Sequence, residues 1–286
     1  MSSRQRGMSA IELVVAITIT AIMASFSVSL VSAPSAALEN GLRRASLRES
    51  SSMAMSQLGA EMRTALPNSV RFRNNGAVLA IEYLRVIDSA TLFVDDPSVP
   101  PSERLQLGTA DGVFETLDPM ANISVPYASN NAFIALHHTG APGRNAYRLA
   151  NVISPAATRI QITAGTNPGQ QRIAMTPAPV FTTMGPQRKV YLLGGTVTVL
   201  CDRLSGTLRR YSGYSIAANQ NTRDSDAKLM AAGATRVLLA SGVNNCRISN
   251  TSNLSAGQNV LSLSVMFLSG GESVRITHAQ VNNNAG

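Results

Sequence analysis

MSAIELVVAITITAIMASFSVSLV, residues 8–31, is a continuous apolar run interrupted by one acid, Glu12, and preceded by the short basic leader MSSRQRG. A helix rises about 1.5 Å per residue, so a run of this length crosses a hydrocarbon core of roughly 30 Å. Arg4 and Arg6 hold its start in the cytoplasm under the positive-inside rule and leave the rest of the chain outside. An ordinary secretory signal has an apolar core of roughly 7 to 15 residues followed by small residues at the cleavage site. This core is longer, although Ser35, Ala36 and Ala37 are small enough to keep a cleaved export signal as the alternative.

Glu12 is the informative residue of the run. An ionised carboxylate inside a spanning helix costs about 2.5 to 3.5 kcal/mol on insertion scales. No Lys, Arg or His lies between Glu12 and Arg43, so the helix supplies no positive charge within reach. A partner has to come from elsewhere, unless the carboxylate sits at the membrane edge among the headgroups.

The basic leader, Gly7, the apolar Met8 and a glutamate at the fifth residue after the glycine, written RGMSAIELVVAITI at 6–19, resemble the class III signal of type IV pilins and pseudopilins. The resemblance implies cleavage between Gly7 and Met8 by a prepilin peptidase, methylation of the new Met8 amine, and retention of the apolar helix in the mature protein. Met8 departs from the phenylalanine usual there. A free N-terminal ammonium is the cation that Glu12 lacks, and a neighbouring subunit's Met8 amine would supply it as the helix leaves the bilayer for a filament.

The chain of 286 residues carries a formal charge of +8, and without Arg4 and Arg6 it has 22 basic against 16 acidic residues, a balance of +6. Lys189 and Lys228 are the two lysines; the rest of the excess is arginine, scattered without a basic run. Such a surface reads as a solvated face or as contacts to acidic neighbours, and nucleic acid is not an expected partner. Cys201 and Cys246 are the two cysteines, and an even count in an exported domain reads as one disulfide.

Beyond the span, Leu38, Leu42 and Ala45, then Met55, Leu58, Met62 and Ala65, recur at helical spacing, with Glu39 and Arg43 as an i,i+4 pair. Pro67 marks the stop, and Pro34 and Gly41 predict a kink or short break outside the membrane. The period then changes to two. Strands are expected at 78–87, 132–137, 147–152, 159–163, 189–193, 196–201 and 207–211, with a loop around Asp95, Asp96, Pro97, Pro100 and Pro101 and turns at 165–169 and Ser205-Gly206. A closing hairpin sets Leu261, Leu263, Val265 and Phe267 against Val274 and Ile276 across Gly270-Gly271, before a polar tail at 282–286. The division is a leader at 1–7, a transmembrane and assembly helix at 8–31, an amphipathic helix at 32–66 and a β-rich head at 67–286. The fold class is α+β, a long helix followed by a large antiparallel head.

AEMRTALPNSVRF at 60–72, AIEYLRVI at 80–87, VYLLGGTVTVLCD at 190–202, LRRYSGY at 208–214, VLLASGVNNCRIS at 237–249 and GGESVRITHAQVNN at 270–283 resemble the minor pilins of the mannose-sensitive haemagglutinin type of type IV pilus. Large β-rich heads also mark the J-type pseudopilins of type II secretion and the PilW-like minor pilins. The resemblance implies a type IV pilin fold and a single-pass inner-membrane protein, cytoplasmic at its N-terminus, whose head is periplasmic until it joins a surface pilus. Its implied partners are the other minor pilins, the major pilin, a prepilin peptidase and the assembly platform. The implied role is initiation and capping at the filament tip. Adhesion or surface binding by the head is the second class of function.

Chemistry is sparse. The sequence has no HExxH, GxSxG, Walker-type or Rossmann glycine pattern, and the reading is non-enzymatic, without cofactor. Adjacent His137 and His138 point to opposite faces of a strand and cannot chelate one metal within it, and His278 stands alone. Asp95, Asp96, Glu103 and Asp111 offer oxygen ligands but lack the spacing of a known calcium loop, so no metal site is assigned.

Overall fold

The structure, a computed structural model, describes residues 9–94, 96–253 and 258–283, without side chains at 28–37, 250–253, 258–259 and 280–283. One helix, α1 (Ala10–Arg63), starts where extended Ser9 accepts from the Glu12 N–H at 3.3 Å and ends at Thr64, whose N–H donates to the carbonyls of Glu61 and Met62. Of the kink or short break expected at Pro34 and Gly41, the break is absent, because α1 is helical through both positions. Proline's φ is already helical and forfeits a single N–H, and Ala33, Ala36 and Ala37 are the strongest helix formers on either side.

The remaining elements in chain order are β1 (Arg71–Asn75), β2 (Val78–Thr91), β3 (Val113–Glu115), β4 (Tyr127–Ser129), β5 (Phe133–Ala135), β6 (Arg159–Ala164), β7 (Gln171–Thr176), β8 (Lys189–Asp202), β9 (Thr207–Ser212), the short helix α2 (Asp226–Ala231), β10 (Thr235–Ser241), β11 (Val243–Asn253), β12 (Gln258–Ser269) and β13 (Glu272–Asn283). They form a central sheet in the order β1-β2-β8-β9-β10 with β5 also on β8, a small sheet β3-β7-β6-β4, and a C-terminal sheet β11-β12-β13. Every pairing between these strands is antiparallel. An N-terminal apolar helix followed by a β-rich antiparallel domain is the architecture, an α+β arrangement.

The last third of α1 holds the head. Leu47, Met55, Leu58 and Met62 are buried against Leu79, Ile81 and Tyr83 of β2, Val197 and Val199 of β8, and Leu261, Leu263, Val265 and Phe267 of β12. The alternation in β12 is the one read from the sequence, and its inward face meets the helix. Within the expected amphipathic stretch Leu38 and Leu42 are exposed, at 65% and 64%, and among the described residues Leu47 is the first helix side chain buried on the head. The reason is reach. The β12–β13 turn ends beside α1 at Arg43 and Arg44, where Arg44 pairs with Glu272 at 2.7 Å and a Cβ on Gly270 would strike Arg43.

The segment at 147–152 is also corrected. Residues Ala146–Arg148 form a 3-10 turn, and Leu149 and Asn151 take positive φ of 51° and 57°, which no strand allows. The strands expected at 189–193 and 196–201 are one, β8, continuous through Gly194 and Gly195.

A second core lies between the small sheet and the far halves of β2 and β8, where Leu92, Phe114, Ile134, Ile160, Ile173 and Leu192 are fully buried. On the opposite face of the central sheet, Ala80 and Leu200 are covered by Tyr214, Leu229 and Ala234 from the segment containing α2. β2 is thus buried on both faces at its start, which is why it reads as a continuous apolar run.

Candidate assembly and membrane segment

Among the described residues, nothing buries the first third of α1. Ala10–Ser27 is long and apolar enough to cross a membrane, and none of it is buried. Ile11 is 74% exposed and Phe26 66%. Large side chains point out on every side, since Leu13, Val14, Val15, Ile17, Ile19, Ile22 and Met23 are exposed as well. A helix apolar all round is built for an apolar surrounding on every side.

Its few hydroxyls are compatible with that surrounding. Thr18 Oγ1 donates to the Val14 and Val15 carbonyls at 3.0 and 2.9 Å, Thr20 Oγ1 to Ala16 at 2.6 Å, and Ser27 Oγ to Met23 at 2.8 Å. Each polar hydrogen is bonded within the helix, as a bilayer or a helix bundle requires.

Glu12 breaks this pattern. It lies in the first turn, exposed, and its carboxylate has no cationic partner among the described residues. The next basic residue along α1, Arg43, is committed to Glu39 at 2.6 Å, and 31 helical residues put it about 46 Å away. Gly7 and Met8 lie outside the described residues, as does Asp95.

The other sequence-derived candidates are placed as follows. Cys201 of β8 and Cys246 of β11 are bonded, with Cα atoms 6.4 Å apart, and tie the central sheet to the C-terminal one. His137 and His138 follow β5 rather than lying on a strand. His138 is buried; its Nδ1 accepts from the Ala146 N–H at 3.0 Å, and its ring meets Tyr147 edge-on. Burial pushes its pKa down to about 4. His278 rests on α1, where only Gly59 leaves room for the imidazole: a Cβ there would come within 2.4 Å of Cε1. Asp96 and Asp111 of the 95–111 loop serve their own loop. Asp96 accepts from the Ser98 N–H and hydroxyl, and Asp111 from the Gln106 and Val113 N–H groups. Among the described residues no group of three or more His, Cys, Asp or Glu side chains is placed to hold a metal.

Two polar clusters escaped the sequence reading. Fully buried Glu82 on β2 accepts from Arg71 Nε at 2.9 Å and faces Tyr214 Oη at 3.3 Å. Arg71 also donates to the Ala217 and Ala218 carbonyls and lies 3.6 Å over the Tyr147 ring. Burial raises the Glu82 carboxyl above its usual range, against the pull of Arg71. The second cluster joins Glu61 of α1 to Arg210 and Tyr83. The signal for the first was present: Asn75-Gly76 marks a hairpin, and its register sets Arg71 opposite Glu82.

The geometry therefore separates a head region in which buried Glu82 and half-buried Glu61 are paired internally from a helix that leaves its apolar surface exposed and one carboxylate without a cationic partner among the described residues. No protein-family model, no curated protein and no solved structure matches the chain.

Proposed function

We propose that the chain is a minor subunit of a type IV pilus or a related pseudopilus, inserted in the bacterial inner membrane by α1 and then drawn into a filament. The observation that carries this reading is Glu12, a carboxylate at the start of the exposed apolar segment Ala10–Ser27 with no cationic partner among the described residues. A plain membrane anchor has no use for a charge costing about 2.5 to 3.5 kcal/mol. Packing against an identical or similar helix would give it one: the amine left at Met8 by cleavage after Gly7. The Glu12 carboxylate and a neighbour's ammonium would then neutralise each other inside the bundle, fixing the axial register between subunits.

The clamped last third of α1 supports the same reading. A head fixed to the helix by burial and by the Glu61–Arg210 pair moves with it as a rigid unit, while the first third stays free to exchange lipid for protein. The large head fits initiation and capping at a tip better than repetition along a shaft. The partners of this reading are the other minor pilins, the major pilin, the prepilin peptidase and the assembly platform.

The test is the N-terminus and intact mass of the protein extracted from membranes of cells containing a prepilin peptidase. The expected chain begins at Met8 and carries one extra methyl. A chain beginning near Ala37 would overturn the proposal, because the helix that does the assembling would have been removed.

A further inference from the structure

The outward face of the C-terminal sheet carries two charges, both arginine. Register fixes this. Leu261, Leu263, Val265 and Phe267 of β12 point inward, so Ser262, Ser264 and Met266 point outward. Across the ladder, Arg247 of β11 stands opposite Ser264, and Arg275 of β13 stands opposite Met266. The one acid among the described residues of these strands, Glu272, faces the other way, bonded to Arg44 of α1.

Arg247, Arg275, Asn245, Ser264 and Met266 line one pit of about 130 Å³. Its two arginines come from strands on either side of β12 and are offset by two residues along it, roughly 12 Å apart at the backbone by strand spacing and rise, and so approach the pit diagonally from opposite walls. Neither forms an ion pair among the described residues. Arg275 is exposed but leans over β12, its Nη2 3.9 Å from Met266 Sδ. The Ser264 hydroxyl accepts from Thr277 Oγ1 at 3.1 Å, which holds it at the floor and leaves its own hydrogen to donate.

We propose that this pit is a binding site for a tetrahedral oxyanion, a sulfate or phosphate group. The two guanidiniums offer planar forks of N–H donors to opposite edges of the anion, and the Ser264 hydroxyl and Asn245 amide add donors between them. No carboxylate on this face competes. The pit is open to solvent on its outer side and has room for one such group. The site belongs to the head and is independent of the fate of α1.

The test is calorimetric titration of the full chain in detergent with inorganic sulfate, inorganic phosphate and glucose 6-phosphate, at constant ionic strength set by chloride. The wild type is expected to show one saturable site. R247Q and R275Q should each weaken it about tenfold or more, the loss expected for a charge-assisted bond, and the double variant should abolish saturation. R148Q/R159Q removes the same charge from exposed positions elsewhere and should leave affinity within twofold; circular dichroism melting checks that all variants are folded. Equal affinity for inorganic phosphate and the sugar phosphate would make the group itself the ligand, and binding of inorganic anions alone would restrict the site to free ions. Absence of saturable binding, or an equal loss in R148Q/R159Q, would overturn the proposal in favour of diffuse attraction to a basic protein.

Discussion

Glu61 of α1 accepts from Arg210 Nε of β9 at 2.6 Å, with Tyr83 Oη of β2 donating to the same oxygen at 2.9 Å. One carboxylate thus joins the helix to β2 and β9, the two strands of the central sheet that flank β8. Both partners of the ion pair are mostly shielded, at 15% and 24% side-chain exposure, so the bond keeps more strength than a surface pair. Burial and the Glu61 charge raise the Tyr83 pKa, which keeps the phenol a donor. Glu61→Ala should cost about 2 to 3 kcal/mol, because it strands a guanidinium and a hydroxyl together. Chemical denaturation followed by circular dichroism measures this; a loss below about 0.5 kcal/mol would mean that the clamp contributes nothing beyond apolar packing.

Gly59 and His278 form a steric counterpart to that clamp. From Arg44 to Gly59, α1 climbs about 22 Å, and from Glu272 to His278, β13 covers about 20 Å in the same direction, so the strand runs alongside the helix between two fixed points. Gly59→Ala should destabilise by about 1 to 3 kcal/mol through overpacking, despite alanine's better helix propensity. Adding His278→Ala should recover most of that loss, giving a strongly non-additive double-mutant cycle. Additive losses would show that the imidazole does not occupy the notch.

The elements legible in the sequence were those set by local pattern. β12 and β13 alternate around Gly270-Gly271, and β2 is a dense run of apolar and β-branched residues. β10 and β11 were not found, because TRVLLAS is exposed or half-buried along its length and VNNCRISN is largely polar: both owe their strand state to distant partners in β9 and β12. Tyr147 misled for the opposite reason. Its side chain is buried beneath Arg71, so its apolar neighbourhood looked strand-like while its backbone turns. Glu12 was legible because a single acid in an apolar run is costly wherever the helix goes. Glu82, equally unusual, was hidden inside a strand whose hydrophobic period it does not break.

His138 makes stability pH-dependent. Its folded pKa of about 4 lies below the ordinary 6.5, chiefly because burial disfavours the charged ring, so the neutral form is the one that the fold accommodates. The contribution is therefore complete above pH 6.5 and is lost as pH falls toward 4, by about 3 kcal/mol. Glu82 acts with the opposite sign: its raised pKa adds stability at low pH that is lost as pH rises through the folded value. His138→Gln keeps an acceptor for the Ala146 N–H and leaves the Glu82 effect in place. Its denaturation free energy should be flatter than that of wild type between pH 6.5 and 4.5. Parallel curves for the two proteins would refute the assignment.

The Cys201–Cys246 bond closes a loop with a sequence separation of 45 and joins two sheets. Chain entropy for such a loop is worth about 4 kcal/mol. The double variant C201S/C246S should fold less stably by about 2 to 4 kcal/mol, and its C-terminal sheet should lose amide-exchange protection before the central sheet does. Simultaneous loss in both would indicate that the two sheets unfold as one unit regardless of the bond.

Glu12→Leu separates insertion from assembly. Leucine lowers the cost of placing this turn in a bilayer, so the variant should enter membranes at least as well as wild type. On the proposed pilin reading, in which the processing signal would be centred on Gly7, it should still be cut after that glycine; Gly7→Asp, by contrast, should keep its leader. What Glu12→Leu lacks is a carboxylate to meet a neighbour's Met8 amine. Its recovery with purified filaments or with the other minor pilins should fall at least about tenfold, while its level in the membrane fraction is unchanged. Glu12→Asp, shorter but still charged, should recover part of the wild-type yield, and Glu12→Gln little of it. Wild-type recovery of the leucine variant would sink the pairing argument and leave α1 a simple anchor.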